Sequence, residues 1–462
     1  MVKREKYRME KDALGLVPVP EDAYYGAETE RAVKLYNVSG LKVQGAFIST
    51  YVRLKKCAAL ANMKAGKLDA RKAKAIVRAC SDVLEMNLLK EPGLDIFQAG
   101  AGTNINMYVN EVIANRAIEI LGGRKGEYKI IHPNDDVNLS QSTNDTMPSA
   151  IRISSYASAV ELSVALEILR KRLSAKAGEF SSIVKVGRTH LQDAVPIRLG
   201  SEFSGYAGQV QHAISFMEIV MKGLLRIPIG GTAVGTGINA GSKYRKYMIS
   251  ELRNEFRIKL VYSENFFADM QARLAELDLS NAVSETAVAV GTIANDIRLM
   301  ASGPDAGIGE ISLPAVHPGS SIMPGKVNPS VAEMMNMVCF QVLGSGTTIR
   351  EACASGQLEL NVFTPVIAYN LLFSMGILSR GAEIFAERCI RGIRAERRHI
   401  SDSLGKDSAI ATALAPYIGY AKAAEVVAKA RRDGKGIMET CLRMKVLDRK
   451  KLERILDASK MA

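Results

Sequence analysis

Three stretches of the chain carry apolar residues around most of a helical circumference. Over 151–173 only a narrow polar stripe through Ser154, Ser158 and Glu161 interrupts them. Residues 272–302 and 330–355 have the same texture, rich in Ala, Leu, Met and Val and without period-2 alternation. A helix that is apolar on nearly all sides is buried in a bundle and does not lie on a surface. The pattern therefore predicts an all-α, mainly helical fold built on a long central bundle. Such helices present more apolar face than one copy can cover, so association with further copies is expected. Changes of texture divide the chain into an N-terminal domain over 1–142, a central helical bundle domain over 143–395, and a small C-terminal helical domain over 396–462. The first mixes short helical stretches with Gly and Pro punctuation, as in VPVPEDAYYG (17–26). The last is basic and built of shorter helices.

Composition narrows the picture. The 462 residues are 47% apolar and 24% charged, an ordinary globular balance. No stretch approaches the roughly 18 uncharged apolar residues of a membrane span. The N-terminus MVKREKYRMEKD has no apolar run behind it, which argues against a secretory signal. Six scattered cysteines without a CxxC pair suit reduced thiols in the cytoplasm. The net charge of +13 gathers partly in ERCIRGIRAERRH (387–399) and KARRDGK (429–435). No aromatic residue is interleaved there, so the expectation is a solvated basic face that steers dianions, with neither nucleic acid nor membrane as partner.

Four polar segments exceed what a packed bundle needs. In GAGTNINMYVNEVIANRA (100–117), small residues precede Thr103, Asn104 and Asn106. This is either a loop with a capped helix start or a gathering of amides and a hydroxyl for an oxyanion. HPNDDVNLSQSTNDTMPSA (132–150) sets Ser140, Ser142, Thr143, Asn144 and Asp145 just before the helix read from 151. A helix N-terminus with free N–H groups attracts a carboxylate, and capping alone needs one such residue. GRTHLQDAVP (187–196) adds Thr189 and His190 in a polar turn between helices. PGSSIMPGKVNPSVAEMMN (318–336) is the strongest signal. Its glycines and prolines surround Ser320, Ser321, Lys326 and Asn328, and Glu333 follows in a helix. Gly and Pro at this density describe an unusual loop, of the kind that carries catalytic groups. There is no GxSxG, Walker A, HExxH or Rossmann fingerprint, and GTAVGTG (231–237) lacks the strand–helix context and the lysine. No cofactor and no metal are expected.

GSSIMPGKVNP (319–329) resembles the signature of the fumarase/aspartase superfamily. GRTHLQDAVP, HPNDDVN with QSTND, and GTAVGTGIN match its other blocks in the same order, so the resemblance covers essentially the whole chain. It implies a three-domain fold and a homotetramer with a twenty-helix core, whose active sites draw residues from three subunits and take a small dicarboxylate. It also implies that Ser320 is the general base. Thr103, Ser142, Thr143, Asn144, Thr189, His190, Lys326 and Asn328 fall on substrate-binding positions, with Ser321 beside the base, and Glu333 matches the acidic partner of the site histidine. QSTND, GAGTN and GQLELNV (356–362) resemble the aspartase branch, implying deamination of L-aspartate to fumarate. Hydration of fumarate is the alternative. Asn104, Tyr108 and Asp305 depart from the family pattern.

Overall fold

The structure is a computed structural model that describes residues 6–89, 93–319 and 322–462. The chain opens with strands β1 (Tyr7–Asp12) and β2 (Gly15–Pro20), then helices α1 (Ala27–Leu35), α2 (Gly45–Lys64), α3 (Ala70–Glu85), α4 (Thr103–Ile120) and the long α5 (Thr143–Glu179). It continues through β3 (Val184–Thr189), β4 (Gln192–Arg198), α6 (Leu199–Leu224), β5 (Arg226–Ile227), α7 (Ser242–Phe256) and β6 (Val261–Tyr262). Next come α8 (Phe266–Gln271), α9 (Leu274–Met300), β7 (Ile311–Ser312), α10 (Ser330–Ala354), α11 (Thr364–Arg388) and β8 (Arg394–Ala395). The tail is α12 (Arg397–Leu404), α13 (Ala415–Ile418), α14 (Tyr420–Asp433), α15 (Ile437–Arg443) and α16 (Arg449–Ile455). Strands pair only two by two among the described residues. The fold is mainly helical, as the periodicity requires.

Two of the expected boundaries shift for local reasons. The long helix begins at Thr143 and not near 151, because Pro148 sits inside its second turn where a proline reads as a boundary. Ser149 Oγ returns a hydrogen bond to the Asp145 carbonyl (2.6 Å) and Thr146 Oγ1 one to Ser142 (2.8 Å). GRTHLQDAVP is more than a turn: it forms most of the antiparallel β3–β4 hairpin, with a bulge at Val186/Gly187.

The chain forms two compact units. The first takes residues 1–162, 216–285 and 341–377. There Asp69 caps α3 by accepting from the N–H groups of Arg71 and Lys72, which uses helix donors that have no partner of their own. Ala73, Ile76, Ala79, Cys80 and Val83 lie buried on one α3 stripe. Side chains the size of Ile76 and Val83 each stabilise by about 1.5–3 kcal/mol when buried in this way. Arg152 is fully buried on α5 and donates to Glu276 (3.0 Å), Asp269 (2.8 Å) and the Arg226 carbonyl. The second unit takes 163–215, 286–340 and 378–462. Leu414, Val426, Ile437, Cys441 and Leu452 form a small separate core in its tail. All six cysteines are free and buried. Among the described residues, no helix is long and apolar enough to cross a membrane.

Candidate functional site

In the first unit, the polar segments converge on one buried network. Asp145 has no exposure, and its carboxylate accepts from the backbone N–H of Ser142 (3.0 Å), Gly230 (2.9 Å) and Thr232 (3.0 Å). It is an acceptor that ties the 139–145 loop to the GTAVGTG loop. Burial pushes its carboxyl up to about 6 despite those three donors. Asn144 gives one amide N–H to the Ala233 carbonyl (2.8 Å), and among the described residues no donor reaches its own carbonyl oxygen. Ser142 Oγ receives the Asn144 N–H (3.2 Å). Asn138, Ser140, Ser142, Thr232 and Asn239 line a cavity of about 500 Å³. One wall is the five-residue π-type turn Pro133–Val137, with His132 Nδ1 accepting from the N–H groups of Asn134 and Asp135. Such turns cluster at functional sites.

A second layer holds these loops. Lys55 is wholly buried and donates to Asn106 Oδ1 (2.7 Å) and Asn138 Oδ1 (2.8 Å). Loss of hydration pulls its ammonium down to about 7, against the attraction of Asp145. The Tyr51 hydroxyl joins Thr146 Oγ1 (2.7 Å) to Asn106 Oδ1 (3.2 Å). Neither residue was singled out from the sequence. The available signal was a lysine on the buried face of α2, one helical turn after Tyr51.

Thr103 opens α4, and Gly102 before it sits at φ 79, with no side-chain cap. A side chain at Gly102 would also collide with Met147. The Ala101 N–H donates to the Val362 carbonyl (2.6 Å), so GAGTN rests on GQLELNV. Asn361 fixes that support by donating to the carbonyls of Ala352 (2.8 Å) and Cys353 (3.2 Å) and accepting from the Phe363 N–H. Asn104 folds back to accept the Ala99 N–H (3.1 Å), so this departure from the family pattern buttresses the loop.

In the second unit, Thr189 ends β3 and His190 occupies the tip of the hairpin. The loop has two residues, and both, His190 (φ 55) and Leu191 (φ 58), are left-handed. Tips of this kind favour Asn-Gly, and neither His nor Leu adopts positive φ without strain. Leu191→Gly removes part of it. The expected result is a stabilisation of up to about 1 kcal/mol, read as a higher midpoint in denaturant, and a lower midpoint contradicts it.

At the signature segment, Asn328 donates to the Gly319 carbonyl (2.6 Å) and pinches the base of the loop. A Cβ at Gly319 would strike the Lys326 carbonyl oxygen, so only glycine fits that neck. Lys326 lines a cavity of about 640 Å³ with Asp305, Glu396, Arg398 and His399. Glu333 stands in the first turn of α10. Ser320 and Ser321 lie outside the described residues. In the first unit Thr103 and Ser142–Asn144 thus stand on one hydrogen-bonded framework, and Thr189–His190 and Lys326–Asn328 both fall in the second unit.

A family model described as "Lyase" matches residues 15–344, and one described as "Fumarase C C-terminus" matches 410–462. A fumarate hydratase class II from Ralstonia nicotianae is 42% identical over 94% of this chain and 95% of its own length. An aspartate ammonia-lyase from Bacillus subtilis is 42% identical over 99% and 96%. The chain belongs to the fumarase/aspartase superfamily. Among solved superfamily structures, a "fumarate lyase:delta crystallin" from Brucella melitensis bound to cobalt superposes with a TM-score of 0.95 at 44% identity, covering 99% of this chain and 100% of that one. A class II fumarase from Schistosoma mansoni gives 0.95 at 36% identity, covering 99% of each. This chain is accordingly a lyase of that superfamily, whose names cover both carbon–nitrogen and carbon–oxygen elimination.

Proposed function

We propose that this lyase is an aspartate ammonia-lyase, removing a Cβ proton from L-aspartate and expelling ammonia to leave fumarate. The observation that carries the reading is the orientation of Asn144. One N–H of its amide goes to Ala233, which fixes the amide's orientation and leaves its carbonyl oxygen, beside the second N–H, available to a ligand. An ammonium has donors and no acceptor, and the Thr103 hydroxyl and an imidazole nitrogen of His190 supply two further acceptors.

Ser320 is the general base in this reading. The proton it takes lies beside a carboxylate, so charge builds up as an aci-carboxylate that fixed positive groups and N–H donors must stabilise. Lys326, Asn328, Thr189 and the amides near Ser321 hold that end. Ser142 and Thr143, at the N-terminus of α5, hold the other carboxylate. Glu333 orients the site histidine. No cofactor takes part in this scheme. Lys326→Met is expected to raise KM for the dicarboxylate at least roughly tenfold, since a carboxylate left unpaired in a closed site is costly. Unchanged KM and kcat would remove Lys326 from the site.

The working form is a cytoplasmic homotetramer whose subunits share each active site. Exposed apolar residues on the long helices support association between copies, among them Val160, Val164, Ile219, Val288, Met337 and Phe340. The second reading is fumarate hydratase, favoured by a relative of that name at the same identity as the aspartate ammonia-lyase. Separate incubation with L-aspartate and L-malate, followed by fumarate absorbance, tests the choice. Fumarate is expected from aspartate with little from malate, because a mismatched hydrogen-bond partner in the site is rejected strongly. Faster release from malate would install the second reading.

A further inference from the structure

Arg188 precedes Thr189 on β3 and reaches in two directions. Nη1 lies 2.7 Å from Asp193 Oδ1 across the hairpin, and Nη2 lies 3.3 Å from Glu310 Oε1. Glu310 is almost fully buried, and its second oxygen stands 2.8 Å from Lys185 Nζ, three residues earlier on the same strand. Lys185 is itself buried and also reaches Glu202 (2.8 Å). On either side of Glu310, Gly309 and Ile311 line the cavity that holds Lys326. One buried carboxylate thus joins the stem of the hairpin to the wall beside Lys326.

We infer that Arg188, clamped to Glu310 and Asp193, is a positioning residue that holds the strained His190–Leu191 tip in register. The inference rests on the reading above that Thr189 and His190 meet the substrate. The two-residue loop puts both of its residues in a disfavoured backbone region, so the tip gains by relaxing. A slip of one residue would turn Thr189 to the opposite face of the hairpin. The planar guanidinium donates toward Asp193 and Glu310 together, which a lysine, a single point of charge, does not reproduce. Arg188 is partly exposed while Lys185 and Glu310 are not. Removing the guanidinium therefore leaves the buried Lys185–Glu310 pair intact.

The test uses the full chain with Arg188→Gln, Arg188→Lys, Leu191→Gly, His190→Asn and the Arg188→Gln/Leu191→Gly double variant. Arg188→Gln is expected to lower kcat/KM by roughly 10–100-fold, the scale of a misplaced site group. Arg188→Lys should fall between it and the wild type. A glycine at 191 relieves the strain the clamp opposes, so the loss caused by Arg188→Gln should shrink several-fold in the Leu191→Gly background. A clamp with a merely structural role gives losses that multiply independently. Full activity in Arg188→Gln, or a loss that Leu191→Gly leaves untouched, overturns the inference. If Arg188→Gln does not fold, the same comparison in Arg188→Lys decides. Wild-type kinetics in His190→Asn would instead overturn the underlying reading of the site, whatever Arg188→Gln does.

Discussion

Ser320→Ala is expected to lower kcat by at least roughly 10²–10⁴-fold, the usual range for removing a general base. KM for L-aspartate should change far less, because the groups that hold the carboxylates stay in place. A serine is a poor base at its ordinary pKa and needs a setting that favours its alkoxide. The proposed setting is the positive charge of Lys326 and the N–H groups of a glycine-bearing loop. The neck of that loop is fixed by Asn328 and by a glycine at 319 that no larger residue replaces. Steady-state kinetics on the alanine variant, with its oligomeric state checked by light scattering, reads the effect. Turnover within a few-fold of wild type removes Ser320 from the role of base.

The second large effect is structural and functional at once. Asp145→Ala strips the acceptor from three backbone donors, two of them buried at Gly230 and Thr232 and one part-buried at Ser142. Each stranded donor costs about 1–3 kcal/mol, less where water follows into the cavity. A destabilisation of about 3 kcal/mol or more is expected, together with a raised KM as Ser142 and Asn144 lose their frame. Asp145→Asn should fall between, because a neutral amide keeps one oxygen acceptor and turns its own donors toward N–H groups. Denaturant midpoints and KM check both variants. A midpoint for Asp145→Ala within 1 kcal/mol of wild type would show that the loops are held elsewhere.

Much of this architecture is legible in the sequence, and its failures have physical causes. Apolar periodicity gave the long helices, because burial on most faces leaves a mark on nearly every residue. Pro148 hid the first two turns of α5, since a proline within a helix looks the same as one before it. The β3–β4 hairpin was missed because its tip is His190–Leu191. Turn chemistry selects Asn-Gly there, and the strained pair carries no such signature. Polar density marked Ser142, Asn144 and Thr103, but it could not separate the group that meets a ligand from the group that holds a loop. Asn104 and Asp145 proved to be holders. Lys55, Arg188 and Glu310 escaped attention for the opposite reason. Each pairs with a residue far away in sequence, and spacing along the chain does not reveal that pairing.

The central claim is that ammonia, not water, leaves from the substrate and returns to fumarate in reverse. Fumarate consumption with and without added ammonium tests this most directly, because water is present in both arms. Fumarate absorbance is expected to fall only when ammonium is supplied. An equally fast fall without ammonium would mean that water adds to fumarate, and the aspartate ammonia-lyase reading would be wrong.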